Sequence, residues 1–114
     1  MILTTKSNER NSIKLILKKT DKYSNLHPSI NSKSNRLYFS SNRPGGYGGM
    51  DIYYVDLVDD KFSEPTNLGP DINSEYNESF PYSYNDSILF YSSDKADKGG
   101  KFDIYIATKV ISNR

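Results

Sequence analysis

One sequence pattern occurs twice in this chain of 114 residues, and it constrains the fold more than any other feature. The run that starts at Leu37, LYFSSNRPGGYGGMDIYYVDL, aligns without a gap with the run that starts at Leu89, LFYSSDKADKGGKFDIYIATK, at an offset of 52 residues. Upstream, Pro28 corresponds to Pro81 at an offset of 53 residues. Because self-similarity over such a length marks a repeated supersecondary unit, the chain contains two copies of one unit.

Each copy predicts short β-strands separated by polar loops. Residues 36–41 and 51–57 of the first copy, and residues 87–93 and 103–108 of the second, are rich in aromatic and β-branched side chains, which are typical of strands. The glycine-rich run PGGYGG at residues 44–49 predicts a hairpin loop between the first two of these strands.

Further strands are predicted at residues 26–30 and 80–84, which contain the two prolines, and a fourth strand at residues 61–68. Residues 13–19 predict an outer strand of a preceding or shared blade. Little or no helix is expected, because no stretch of more than about ten residues has an apolar period of 3.6 residues.

Both faces of the predicted strands are apolar. Within residues 51–57, Ile52 and Tyr54 point to one face while Tyr53 and Val55 point to the other. The second copy repeats this pattern with Ile104, Ile106, Tyr105 and Ala107. A sheet exposed on one side would alternate apolar and polar residues, whereas the blades of a β-propeller are covered on both faces by their neighbours.

The predicted fold class is therefore all-β, with two blades of four-stranded antiparallel sheet from a β-propeller. The division predicted is an N-terminal segment at residues 1–22, a first repeat at residues 23–69, and an incomplete second repeat with a C-terminal tail at residues 70–114. A ring needs about four to eight blades. The ring is thus either incomplete, or it is completed by homo-oligomerisation.

Composition narrows the function classes. The formal net charge is only +1, which gives no reason to expect nucleic acid as a partner. There is no cysteine, so disulfides and thiolate chemistry are excluded. Direct membrane insertion is not expected, because the chain has no run of about 18 apolar residues. The start MILTTKSNER lacks the apolar core of a secretory signal.

The motifs LYFSSNRPGGYGGMDIYY and FSEPTNLGPDINSEYNESFPYSYNDSILFYSSD resemble the repeats of TolB-type β-propellers. More narrowly, they are similar to the repeats that precede peptidoglycan-binding OmpA-like domains in outer-membrane-associated proteins of Bacteroidetes. The similarity covers about residues 23–109. It implies a periplasmic or outer-membrane-associated protein that binds protein partners of the cell envelope.

No catalytic, cofactor-binding or metal-binding residue is predicted from the sequence. The glycine-rich loop has one residue too many before Asp51 to match the calcium-binding pattern G-G-x-G-x-D. Asp51 and Asp103 occupy equivalent strand starts, where an Asp commonly accepts backbone N–H bonds from the preceding loop. His27, the one histidine, has no G-x-S-x-G serine motif to act with, and its counterpart Phe80 indicates a packing position.

The loops between strands are the predicted recognition surface, because propeller loops carry function and exposed Arg and Tyr are frequent interface anchors. The candidate partner-binding residues are Asn42, Arg43 and Tyr47 in the first copy, and Asp94 and Lys95 in the second. The Ser-Ser pairs at residues 40–41 and 92–93 are expected to bond neighbouring polar groups within the sheets.

The leading functional prediction is a non-catalytic protein-binding or scaffold module without a cofactor. Two alternatives stay open at this point: the non-catalytic propeller of a hydrolase or peptidase, and a glycan-binding module. An OmpA-like domain in adjoining sequence would favour the protein-binding or scaffold module, and an α/β-hydrolase domain would favour the propeller of a hydrolase or peptidase.

Overall fold

The computed structural model describes residues 23–85 and 87–108. This part of the chain forms eight strands and one short 3₁₀ turn at Lys95–Asp97, with no α-helix, and none of its elements is a helix that could cross a membrane. The all-β class predicted from the sequence is confirmed. The strands are β1 Asn25–Asn31, β2 Arg36–Ser41, β3 Asp51–Val58, β4 Lys61–Phe62, β5 Thr66–Asn67, β6 Glu78–Asn85, β7 Ile88–Ser93 and β8 Asp103–Thr108.

The first sheet is an antiparallel meander in the order β1-β2-β3, and both β4 and β5 pair with β3. The prediction of one continuous fourth strand over residues 61–68 is wrong, because the strand is broken into two pieces of two residues each. Pro65 lies in the break and has no N–H to donate to a ladder. Ser63 ties the break to β3, since its N–H donates to the carbonyl oxygen of Asp56 at 2.8 Å.

The second sheet has three antiparallel strands, in the order β6-β7-β8, among the described residues. A fourth strand for this copy, and the strand predicted at residues 13–19, lie outside the described residues. The register of the two sheets repeats, because Phe39 pairs with Tyr53 in the first and Tyr91 pairs with Tyr105 in the second, each at the 52-residue offset.

The two sheets pack face to face around a shared core. From the first sheet Tyr38 and Ile52 enter this core, and from the second Leu89 and Tyr91. Ile72, from the segment that connects the sheets, completes it. All five side chains are buried. Burial of these five large side chains, each worth about 1.5–3 kcal/mol, explains why the sheets pack together.

The opposite face of the first sheet carries a second buried cluster. It consists of Leu37, Phe39, Tyr53 and Val55. Side chains at successive positions of β2 and β3 therefore alternate between the two clusters, as the period of two residues requires. The sequence-based expectation that both faces of this sheet are covered is met in the first copy.

Candidate functional site

The candidate loops lie at one edge of the two sheets and are joined there. The loop at residues 42–50 links β2 to β3, and the loop at residues 94–102 links β7 to β8. Between them runs the segment that leads into β6. Gly49 N–H donates to the carbonyl oxygen of Tyr76 at 3.0 Å, and Asp94 N–H donates to the carbonyl oxygen of Asn77 at 3.2 Å. The two repeat loops thus form one continuous surface rather than two separate ones.

The first loop is held by hydrogen bonds to the side chain of Asp51, the first residue of β3. Its Oδ2 accepts the N–H of Tyr47 at 2.6 Å and the side-chain amide of Asn67 at 3.2 Å. The expectation that this Asp caps the preceding loop is confirmed. Gly46 allows the arrangement, because a Cβ at that position would overlap the same carboxylate oxygen. Asp51 is buried, which removes it from contact with solvent.

The second loop is capped by a different residue. Asp103 is exposed, and the side chain that accepts a loop N–H is that of Asp97, which takes the N–H of Lys101 at 2.8 Å. The expectation that Asp51 and Asp103 play the same structural part is therefore wrong. The second loop contains a 3₁₀ turn, which brings a closer carboxylate to the loop backbone.

Asn42 and Asp94, two of the predicted partner-binding residues, occupy equivalent positions and make equivalent clamps. Asn42 Oδ1 accepts the N–H of Ser24 at 2.8 Å, and Asp94 Oδ1 accepts the N–H of Asn77 at 2.8 Å. Each side chain fastens the loop that follows β2 or β7 to the start of the first strand of its own sheet. Asp94 is only 1% exposed, so its carboxylate serves the fold and does not face solvent.

Arg43 and Lys95 also match each other in structure. The guanidinium of Arg43 lies 5.3 Å from the ring centre of Phe39 and 5.2 Å from that of Tyr53. The ammonium of Lys95 lies 4.4 Å from the ring centre of Tyr105. Such distances favour cation–π attraction. Both cations cover the aromatic pair of their own sheet.

Arg43 is further fixed by polar contacts. Its Nη2 donates to Asn25 Oδ1 at 2.8 Å, and its Nε donates to Ser41 Oγ at 3.1 Å. Burial lowers the pKa of its guanidinium from the usual value. These contacts hold Arg43 within the first sheet, which leaves it less free to act as an interface anchor than the sequence suggested.

Tyr47 is the aromatic residue among the five predicted partner-binding residues, and its side chain is exposed. It is 49% exposed at the tip of the first loop. Its neighbour Gly48 abuts the backbone of Glu75, and a Cβ there would overlap that backbone. In the second loop Gly99, the counterpart of Tyr47, lies beside the ring of Tyr76, which a Cβ would meet at 3.6 Å. The loop surface thus carries the exposed ring of Tyr47 and the partly buried ring of Tyr76.

The Ser-Ser pairs bond mainly within the sheets, as expected. Ser93 Oγ donates to the carboxylate of Glu78 at 2.7 Å and accepts the N–H of Lys95 at 3.1 Å. Ser41 Oγ accepts the N–H of Arg43 at 3.2 Å. Ser40 is the exception, because its hydroxyl is buried with no partner among the described residues.

Two buried polar residues that support this edge were not identified from the sequence. The Glu78 carboxylate accepts the N–H and hydroxyl of Ser74, besides the hydroxyl of Ser93. Asn73 extends the ladder beside β3, because its amide accepts the N–H of Ile52 at 2.7 Å and donates to the Ile52 carbonyl at 3.0 Å. The available signal was the position of Glu78, which is equivalent to Asn25 and therefore polar in both copies.

His27 and Phe80, equivalent positions in the two repeats, stack on each other. Their ring centres are 3.6 Å apart with an interplanar angle of 21°. Both residues have positive φ, 56° and 51°, at the irregular step where the β1–β2 and β6–β7 registers shift. The packing position expected for His27 is confirmed, and its packing partner is Phe80.

Among residues 23–85 and 87–108, no three side chains of His, Cys, Asp or Glu lie close enough together to hold a metal ion. The candidate surface is a set of loops held by internal hydrogen bonds, with the exposed ring of Tyr47 at the tip of the first loop. Comparison with protein-family models, with curated proteins and with solved structures found no match.

Proposed function

We propose that this chain is a non-catalytic protein-binding or scaffold module built from β-propeller blades, and that it contacts its partner through the joined loops at residues 42–50 and 94–102. One observation carries the proposal. The two copies repeat not only in sequence but also in the contacts that fix their loops, since Asn42 and Asp94 form the same clamp and Arg43 and Lys95 cover the same aromatic pair.

The blade assignment is supported by the way the two sheets meet. The second sheet packs on the first through Leu89, Tyr91 and Tyr105. The equivalent residues of the first sheet are Leu37, Phe39 and Tyr53, and they lie on the face that points away from the second sheet. In a β-propeller, each blade packs one face of its sheet against the preceding blade and the other face against the following blade. The division into repeats at residues 23–69 and 70–114 follows from this interpretation.

The binding role is supported by the character of the loop surface. A platform whose backbone is fixed by hydrogen bonds loses little conformational entropy on binding, and exposed Tyr side chains supply large contact area with few rotatable bonds. Location in the periplasm or at the outer membrane, with protein partners of the cell envelope, is proposed from the sequence resemblance to TolB-type repeats.

The test is a capture experiment with the tagged chain and a detergent-solubilised bacterial envelope extract. The wild-type chain is compared with Tyr47→Ala and with a matched control, Tyr84→Ala. Tyr84 is an exposed tyrosine near the C-terminal end of β6, and only the N-terminal end of this strand adjoins the loops. We expect a specific set of proteins to be retained by wild type and by the control, and to be lost with Tyr47→Ala. Equal retention by all three chains would exclude the loop surface as the binding site.

A further inference from the structure

The two repeats differ most in how much of the same face they expose. Tyr38, Ile52 and Tyr54 of the first sheet are equivalent to Phe90, Ile104 and Ile106 of the second. Ile52 is fully buried under the second sheet, whereas Ile104 is 78% exposed. The chain thus contains one covered and one uncovered version of a single apolar face.

The uncovered version, which we call the outer face, consists of Tyr82, Phe90, Ile104 and Ile106. Register places them together, because Tyr82 pairs with Phe90 on β7 and Phe90 pairs with Ile106 on β8. The rings of Tyr82 and Phe90 are 6.3 Å apart. Tyr82, Ile104 and Ile106 are all more than half exposed. A contiguous and uncharged apolar patch of this kind marks an interaction surface.

The covered version shows what fits on such a face. Tyr38 and Ile52 are packed against Leu89, Tyr91 and their neighbours Tyr105 and Ala107. The covering surface is therefore a β-sheet that presents a leucine, two aromatic rings and a small residue from two adjacent strands. Those four positions are themselves part of the repeat, being equivalent to Leu37, Phe39, Tyr53 and Val55.

We infer that the outer face of the second sheet binds a further copy of this same repeat, docked through its Leu-aromatic-aromatic-small face as the second sheet docks on the first. The inference rests on the proposed blade architecture and names the partner of this face. It depends on continuity with the interface inside the chain, because one packing step repeated once more would cover Phe90, Ile104 and Ile106.

A second molecule of the chain, as it stands, is a poorer occupant than a further repeat. Its matching face, formed by Leu37, Phe39, Tyr53 and Val55, is already buried. A self-associated pair would have to join two outer faces, and these lack the leucine and small residue of the covering surface. The docking repeat also needs room for Tyr82, which stands where the first copy has Ser29.

The test uses the lack of cysteine in the chain. A single cysteine introduced as Ile106→Cys reports solvent access through its rate of reaction with a thiol reagent. The rate is measured in the full chain, and in the full chain lengthened after Arg114 by a copy of residues 63–108, which keeps the repeat spacing. We expect the thiol to react at the rate of an exposed cysteine in the original chain, and at least tenfold more slowly in the lengthened one.

Two controls distinguish docking from other effects. Tyr47→Cys should react at equal rates in both chains, because the loop tip stays exposed. A lengthened chain whose added copy carries Leu89→Asp and Tyr91→Asp should leave the thiol at residue 106 unprotected. Unchanged reactivity in the lengthened chain would overturn the inference, whether the added copy is folded or not.

Light scattering on the original chain supplies an independent outcome. A discrete dimer that Ile104→Lys with Ile106→Lys converts to monomer would also overturn the inference, because the outer face would then bind its own kind. The capture experiment with Tyr47→Ala is independent of these results. If Tyr47→Ala loses capture and the thiol at residue 106 stays unprotected, only the docking repeat is rejected. If Tyr47→Ala retains capture and the thiol is protected, only the loop surface is rejected.

Discussion

Ile52 and Ile104 offer a test in which the molecule supplies its own control. They occupy the same position of the repeat, each facing a serine on the neighbouring strand, Ser40 or Ser92. Replacement by alanine therefore removes the same atoms and the same β-strand preference from both sites. The two sites differ in burial, with exposures of 0% and 78%.

The expected magnitudes follow from that difference. Ile→Ala removes three carbon atoms, which at about 0.8 kcal/mol for each buried group gives about 2.4 kcal/mol. The cavity left in a packed core brings the loss of unfolding free energy for Ile52→Ala to about 3–4 kcal/mol. Ile104→Ala should change it by less than about 1 kcal/mol, because a mostly exposed side chain contributes mainly its strand preference.

The assay is urea unfolding followed by circular dichroism at low protein concentration. With a slope of about 1.5–2 kcal/mol per molar urea for a chain of this size, Ile52→Ala should lower the midpoint by about 2 M and Ile104→Ala by less than about 0.5 M. Equal losses at the two sites would refute the reasoning, because the two faces would then be equally covered and the sheets would not pack as described.

Three further predictions concern the loop edge and the core. Asp94→Ala should lower the unfolding free energy by about 2–4 kcal/mol, and Asp94→Asn by only about 1 kcal/mol, because Asn42 makes the same clamp with an amide; urea titration measures both. Gly46→Ala should lower it by about 1–3 kcal/mol in the same assay, because the added Cβ overlaps the carboxylate of Asp51. Burial raises the pKa of Tyr38 above its usual value of 10.0, so the contribution of Tyr38 to stability should be constant below about pH 10, and the urea midpoint should fall as the pH rises above it, because the phenolate form is favoured only after unfolding.

Each of these has a matched control. An Asp94→Asn chain as unstable as Asp94→Ala would mean that the backbone N–H of Asn77 is not the main contact of the clamp, and that the charge or the second bond, from Asn77 Nδ2 to Asp94 Oδ2 at 3.1 Å, holds it. For the glycine, the neighbouring exposed Tyr47→Ala should stay within about 0.5 kcal/mol of wild type, and a Gly46→Ala chain with the same stability would contradict the close approach. At high pH, Tyr38→Phe should reduce the fall in the midpoint, and an identical fall would exclude Tyr38 as its source.

Much of the fold could be predicted from the repeat. The bounds of β2 and β8 agree with the sequence-based ranges at both ends, and those of β3 and β7 agree to within one residue. Strand periodicity and the Asp-Ile-Tyr motif were sufficient for this, because aromatic and β-branched runs leave little alternative to a pleated strand. The outer strand was predicted less well, since Pro65 interrupts a segment whose composition otherwise suits a strand.

The candidate site was predicted in location but not in detail. Sequence position placed Arg43 and Asp94 in loops, and loops are usually exposed. In the structure Arg43 lies over Phe39 and Tyr53, and Asp94 is buried against Asn77. The aromatic pair that attracts Arg43 comes from β2 and β3, the two strands that flank its loop, and the pairing of these strands brings the two rings together. No local pattern indicates that the cation turns inward.

By itself the sequence determined that two copies of one antiparallel unit exist, because the two runs align at a constant offset. It also determined which residues share each face, because side chains alternate between the faces of a strand with a period of two residues. Only the tertiary structure decided which of the equivalent faces is covered. Ile52 and Ile104 are chemically the same residue in the same motif, yet one lies in the core and the other in solvent. The reason is that burial depends on the neighbouring sheet, and a residue's own repeat does not specify what packs against it.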